Sequence, residues 1–471
     1  GGWGAALATT MSSSELNESL ISTLNEDENV LFTNCRLLRD GKLVRDDLWV
    51  KGGIIIDGQS WFYGVQKSAT RVVDCKGHIL APGFIDMQLN GGFGVDFSVP
   101  DGGDLAKAVE IVAENVLQYG CTAFCPTIIT SSPDTYSKIV PQHKQVPGGR
   151  HGASVLGLHL EGPFINPAKK GCHPAEMMHN YGLGPAEQSP DEQEARLAEL
   201  IPKGTTAVEA DKLRQQVVHE AVDAIYPSLD SVALVTLAPE ITGAIDAVRY
   251  LTSKGIKVSL GHSRSGLASA VDAVVAGATV VTHMFNAMAA FHHRDPGIVG
   301  VIADTKVLEL DRTLFYGVIV DGFHTHPTSL RMAHATHAKG CVLVTDAMAG
   351  MGLPPGEHGL ASLRVNISKD RKATVVGKPE TLAGSVATME ESVQNFAKVV
   401  GVEDALTAAT LHPAQALGID DRKGTLLPGR DADLVLLDDD LEVQATYISG
   451  QVCWARSSHA AALFYSPRKS R

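Results

Sequence analysis

The stretch Val155-Leu-Gly-Leu-His-Leu-Glu161-Gly-Pro-Phe164 carries an apolar run into an acid and then stops it with Gly-Pro. The run reads as a strand, with Glu161 at its C-terminal end. A carboxylate placed there is costly to desolvate alone, so a partner is expected and a metal ion is one candidate. The pattern recurs in Val258-Ser-Leu-Gly-His262, Val280-Val-Thr-His283 and Val342-Leu-Val-Thr-Asp346. Four apolar strands, each delivering Glu, His, His or Asp near its end, are not explained by packing alone.

Working outward, eight candidate strands emerge: 79–90, 122–129, 155–161, 232–239, 257–262, 279–285, 315–321 and 341–346. Most are almost continuously apolar, as strands covered on both faces must be. Helical patterns at 104–118, 211–224, 244–253, 265–276, 327–338 and 385–399 alternate with them. The alternation predicts an α/β fold, a (β/α)8 TIM-type barrel, whose functional face lies at the C-terminal ends of its strands. A doubly wound sheet is the alternative, but no Gly-x-Gly-x-x-Gly follows the first strand. Short strand patterns over 30–74 and again over 432–454 have too little apolar surface for a core each. Both chain ends are therefore expected to build one small β-sandwich domain, 29–78 with 416–457, around a barrel of 79–415. A polar surface insertion is expected near 181–211, a hairpin over 359–378 beside the site, and tails at 1–28 and 458–471.

A formal charge of -13 over 471 residues, with no basic stripe, argues against nucleic acid. It does not forbid an anionic small molecule held by a local Arg/His cluster. No apolar segment reaches membrane length. Residues 1–28 lack a signal-peptide core, and Met11 is expected as the natural start. Seven scattered cysteines show no zinc-knuckle spacing, Cys121 and Cys125 on an apolar strand read as packing residues, and a reducing, cytoplasmic setting is expected.

On the barrel's functional face the sequence places Gln88 and Asn90 after strand one and Glu161 after strand three. His262, His283, His324 and Asp346 follow strands five to eight. Glu161, His262 and His283 make a donor set suited to one Zn²⁺ completed by water, and iron, cobalt or manganese are compatible with it. Such a metal lowers the pKa of water and polarises an amide oxygen. Asp346 is free to move the proton. His324, in Asp321-Gly-Phe-His324, is placed to stabilise an oxyanion, a solvent-facing loop histidine being the alternative. Asn286-Ala287 follows His283 directly and can meet substrate. His293 and Arg294 read as a phosphate grip or, alternatively, a solvated turn. Cys172-His173 follows strand three. Leu382-Ala383-Gly384 is expected to open a helix whose free N–H groups favour polar substrate groups.

These motifs, in this order, resemble the N-acetylglucosamine-6-phosphate deacetylase family of the amidohydrolase superfamily. The resemblance runs from about Leu31 to Gln451 through Ala81-Pro-Gly-Phe-Ile-Asp86, His159-Leu-Glu161-Gly-Pro-Phe, Thr282-His283-Met-Phe-Asn286-Ala-Met and Val344-Thr-Asp346-Ala. It implies hydrolysis of N-acetyl-D-glucosamine 6-phosphate to D-glucosamine 6-phosphate and acetate. Glu161, His262 and His283 then hold the metal, and Asp346 is the acid/base. His324 assists at the amide, and Asn90, Cys172, His173, Asn286, Ala287, His293, Arg294, Asp321 and Leu382-Ala383-Gly384 are expected to contact the sugar phosphate. It further implies a homodimer in which Arg294 reaches the partner's phosphate. Many superfamily members carry His-x-His after strand one. Gln88 and Asn90 stand there instead, and amides are poor ligands, so a mononuclear site is favoured. A dihydroorotase-like or cyclic-amide hydrolase would want that His pair and a lysine on strand four. A catalytically silent barrel would have lost its ligands or Asp346.

Overall fold

The structure is a computed structural model describing residues 28–60, 69–99, 103–183, 190–360 and 363–456. The tails expected at 1–28 and 458–471 lie outside the described residues except for Glu28, as does 184–189 of the expected insertion.

Among the described residues, eight parallel strand positions form the barrel wall: Phe84–Leu89, Cys121–Ile129, Leu158–Glu161, Val232–Leu237, Lys257–Leu260, Val280–Val281, Phe315–Val318 and Cys341–Leu343. They are strands one to eight below. A two-residue piece, Ser154–Val155, precedes strand three and pairs with strand two, so strand three is interrupted at Leu156-Gly157. The wall closes between strands eight and one, where the Asp346 N–H donates to the Gln88 carbonyl at 2.9 Å. On the helix-facing side of the wall Leu158, Leu160, Val235 and Leu260 are wholly buried, and Met87, Cys125, Leu234 and Val342 are buried in a separate cluster inside the barrel, as a covered parallel sheet requires.

Strand one differs from its sequence reading. Residues 79–90 make two strands, not one. Ile79–Pro82 pairs with Asn29–Arg39 and with Leu434–Leu437 in the small sheet, and only Phe84–Leu89 enters the barrel. Gly83 lies between them, packed so closely on Thr122 that a Cβ would sit 2.1 Å from the Thr122 hydroxyl oxygen. The small sheet orders Gln451–Ala455, Val443–Ile448, Leu434–Leu437, Ile79–Pro82, Asn29–Arg39, Lys42–Lys51 and Ile54–Ile56, so both chain ends interleave. Asn29–Arg39 shifts register between Phe32 and Cys35, with Asn34 at φ 54°. The bend lets the two wings face each other, and the Phe32 and Tyr447 rings meet edge to face at 5.1 Å.

Two other expectations move. The residue 359–378 hairpin is part of a four-stranded antiparallel sheet, Gly356–Leu360, Leu363–Ile367, Ala373–Val375 and Lys378–Leu382. The helix expected from Ser385 begins at Met389, because Thr388 and Glu391 form a reciprocal capping box there. Leu382–Gly384 therefore ends a strand and does not open a helix. The insertion carries the helix Pro190–Glu199, and the next helix starts at Ala207 behind a Thr206/Glu209 capping box. Among the described residues, no helix is long and apolar enough to cross a membrane.

Candidate metal centre and active site

His262, His283 and Asp346 stand two or three residues beyond the last residue of their strands. Each has a positive φ, 47°, 25° and 47°. L-residues visit that region at a cost, and such strain gathers where a side chain is aimed for function. Leaving the ladder frees the side chains to turn into the barrel mouth, where they meet Glu161.

The convergence is tight. His262 Nε2 and His283 Nε2 each lie 3.1 Å from Glu161 Oε1 and 3.0 Å from one another. All three residues are buried. His262 Nδ1 faces the Lys169 carbonyl at 2.9 Å. A carbonyl only accepts, so Nδ1 carries the proton and Nε2 is left as a lone pair. Lone pairs and a carboxylate crowded together, with one imidazole ring committed on its far side, repel unless a cation or proton lies among them. The spacing also suits neighbouring donors on a four-coordinate metal with bonds of about 2.0–2.1 Å. The donor set therefore fits a divalent ion. Burial acts to raise the Glu161 pKa, but the His262 and His283 rings against its carboxylate hold it well below the usual value. On His283 burial acts the other way, and Glu161 prevails to raise it.

His173 also reaches this cluster: Glu161, His173 and His262 have possible ligand atoms within 4.8 Å of one another. Its tautomer argues for a different part. The Thr130 N–H donates to His173 Nδ1 at 3.2 Å, so the proton sits on Nε2, 3.9 Å from Glu161 Oε2. That nitrogen is a donor towards the cleft rather than a ligand. Burial, then the neighbouring His262, push His173 down to about 3, so the ring is neutral.

The two amides after strand one orient the carboxylates. Gln88 Nε2 donates to Glu161 Oε1 at 2.9 Å, and Asn90 Nδ2 donates to Asp346 Oδ1 at 2.7 Å. Burial and the Glu161 charge push Asp346 up to about 6, against the opposing pull of His283 and the Asn90 bond. Asp321 turns both oxygens onto its own loop. Oδ2 meets His324 Nδ1 at 2.5 Å, and Oδ1 accepts the N–H groups of Phe323 and His324 at 2.9 Å each. Desolvation raises the Asp321 pKa and the His324 contact overcomes it, leaving the carboxyl below its usual value. Asp321 is thus committed to orienting His324.

The remaining residues divide. Leu382–Gly384 runs beside the end of strand eight, through the Ala347–Ser385 bridge, and Cys172 Sγ lies 3.9 Å from the Ala383 carbonyl. Asn286 contacts the carbonyls of His283 and Met284 at 3.3 Å and the Thr325 hydroxyl at 3.4 Å, tying loop six to loop seven. Ala287 has φ 49°, and its carbonyl accepts the Ser263 N–H at 3.1 Å. His293 and Arg294 stand exposed on the turn after strand six, which Asp295 anchors by accepting the Leu267 and Gly297 N–H groups. Sequence reading missed the Lys169 carbonyl, since a backbone oxygen has no signature. The orienting part of Gln88 was visible only as a polar residue on an apolar strand.

Comparison with known proteins agrees with this arrangement. The amidohydrolase family model matches residues 79–453. The N-acetylglucosamine-6-phosphate deacetylase of Homo sapiens is 48% identical over 425 residues, 90% of this chain and 95% of that one. The crystal structure of the deacetylase of that name from Pasteurella multocida superposes with TM-score 0.68 at 27% identity, covering 90% of this chain and 99% of that one. A mutant of the Mycobacterium smegmatis deacetylase, in complex with N-acetyl-D-glucosamine-6-phosphate, gives 0.67 at 27% identity, covering 91% and 100%. With a metal-suited Glu-His-His cluster at the mouth of a parallel barrel, and likeness running through nine-tenths of its length, this chain belongs to the amidohydrolase family, in the branch of the N-acetylglucosamine-6-phosphate deacetylases.

Proposed function

We propose that the protein hydrolyses N-acetyl-D-glucosamine 6-phosphate to D-glucosamine 6-phosphate and acetate, a step in amino-sugar catabolism. The observation that supports this most directly is the meeting of Glu161, His262 and His283 at 3.0–3.1 Å. Glu161, His262 and His283 would hold one divalent metal, zinc being the best match to two imidazoles and a carboxylate, which when bound acidifies a water and polarises the amide carbonyl. Asp346, with one oxygen held by Asn90, accepts the proton of the attacking water and returns it to the departing amine. Asp321 fixes Nδ1 of His324 and so orients the ring that assists at the substrate amide. His173 Nε2–H, Asn286, Ala287, Cys172 and the Leu382–Gly384 segment contact the sugar in this reading. His293 and Arg294 grip the phosphate, with Arg294 supplied by the other subunit of a homodimer. Seven free cysteines suit a cytoplasmic, reducing location. We place the domain junctions near 79 and 416, as the sequence pattern suggests, with Ile79–Pro82 lent to the small sheet.

The test is acetate release from the 6-phosphate sugar and from the unphosphorylated sugar, with metal-assayed protein. Turnover of the phosphorylated sugar, abolished by chelator and restored by zinc, is expected. Equal turnover of both sugars would sink the phosphate assignment, and indifference to chelator would sink the metal.

A further inference from the structure

Glu240 follows strand four, whose end contributes no side chain to the cluster described above. Its carboxylate receives three donors from two other loops. Oε1 accepts Asn166 Nδ2 at 2.9 Å and the Arg264 N–H at 2.6 Å, and Oε2 accepts the Ser263 hydroxyl at 2.7 Å. Ser263 and Arg264 are the two residues after His262.

Asn166 leads to the other side of His262. Its N–H donates to the His262 carbonyl at 2.9 Å. Its Oδ1 accepts the Ala168 N–H at 2.9 Å, capping the single 3-10 turn Pro167–Lys169. The carbonyl of Lys169, the last residue of that turn, is the group that takes His262 Nδ1–H. Glu240 holds the Asn166 amide by its NH2 end and so aims the opposite oxygen at the turn.

We propose that Glu240 is a positioning residue for His262, acting on both sides of the ring. Through Asn166 it fixes the Lys169 carbonyl that selects the Nδ1–H tautomer. Through Ser263 and Arg264 it holds the backbone that keeps His262 at φ 47°. Partners of this kind orient a ligand and set its basicity, and losing one typically costs about 10–100-fold in metal affinity. This inference rests on His262 being a metal ligand, and it does not depend on which amide the enzyme cleaves.

The experiment uses the full chain loaded with zinc and follows zinc loss to a competing chelator, beside kcat, KM and thermal melting. Glu240→Ala is expected to weaken zinc retention by about 10–100-fold, with activity recovered in excess zinc and KM near wild type. Glu240→Gln, which keeps an acceptor for Asn166 and Arg264, should recover most of the retention. Asn166→Ala breaks the tautomer arm alone and provides the same readout should Glu240→Ala fail to fold. It is expected to weaken zinc retention without lowering the melting temperature of the zinc-free protein by more than a few degrees. Wild-type zinc retention in folded Glu240→Ala, or in Asn166→Ala where Glu240→Ala does not fold, overturns the proposal. If the wild type binds zinc but releases no acetate, the substrate reading fails while the clamp is still decided by zinc retention.

Discussion

At the scale of single residues, the division of labour between two nearby carboxylates follows from what surrounds each. Glu161 meets two imidazoles and stays ionised, while Asp346 meets one amide donor and the Glu161 charge and is pushed up to about 6. Environments that separate two acids in this way separate their tasks. Asp346→Asn should keep zinc and substrate affinity while kcat falls by about 10²–10⁴-fold, the range a lost general acid/base commonly costs. Near-normal turnover would reject the assignment. The pH profile has a definite sign. The base must be a carboxylate, so kcat/KM should decline as pH falls through the Asp346 pKa. A cation held beside Glu161 favours the charged form, so that acid limb should lie below about 6 in the zinc-loaded enzyme. A profile flat from pH 7 to 4 would contradict it. The sequence already pointed to Glu161, His262, His283 and Asp346, because charged or polar side chains ending apolar strands conflict with the packing pattern around them. It could not show that Gln88 and Asn90 hold the two acids, since amide orientation depends on what stands opposite.

Between elements, the barrel's closing seam is fastened by a buried acid. Asp86 on strand one accepts the Thr345 hydroxyl at 2.5 Å and the N–H groups of Thr345 and Gln88 at 3.3 and 3.2 Å. It thus joins the residues next to Asp346 to the one that holds Glu161. Burial pushes its pKa from 3.8 up to about 7, its hydrogen bonds offsetting only part of that. The folded state then binds the Asp86 proton more tightly than the unfolded chain does. Its stabilising contribution is complete below about pH 4 and is lost as pH rises to about 7. Asp86→Asn cannot ionise, so its stability relative to wild type should climb over that window by on the order of 4 kcal/mol. Paired thermal melts at pH 4, 5.5 and 7 measure this, and a constant gap between the two proteins would refute it. Elements with strong local signals were legible in the sequence: the helix Ala244–Ser253 matches its expected span, and strands two to five were found within a few residues. Boundaries failed where competing local chemistry decided them. The Thr388/Glu391 box, not the hydrophobic periodicity, sets where the helix Met389–Val400 starts, and that removed Leu382–Gly384 from its expected helix end.

At the scale of the molecule, the exposed turn holding His293 and Arg294 is anchored at its base and leaves both residues exposed. This geometry suits delivery to a second subunit, as the proposed homodimer requires. Arg294→Ala should raise KM for the phosphorylated sugar by one to two orders of magnitude, about 1.4–3 kcal/mol of lost charge-assisted bonding, with little change in kcat. Because Arg294 and Asp346 would then serve sites on opposite subunits, mixing Arg294→Ala with Asp346→Asn should yield some dimers with one intact site and, at substrate well below the raised KM, turnover above that of either variant alone. Absence of recovery in verified mixed dimers would place Arg294 in its own subunit's site.

The sequence by itself determined the barrel, the pairing of the two chain ends into a second sheet, and the acids and imidazoles that meet at the barrel mouth. Those are consequences of apolar periodicity, strand-helix alternation and misplaced polar groups, all local in the chain. Tertiary structure alone decided which ring nitrogen of His262 and His173 carries its proton, that strand one divides at Gly83 between two sheets, and that Glu240 braces a neighbouring strand's histidine. Each of these depends on a backbone carbonyl, an N–H or a packed side chain brought close from elsewhere in the chain, and such contacts exist only once the barrel has closed.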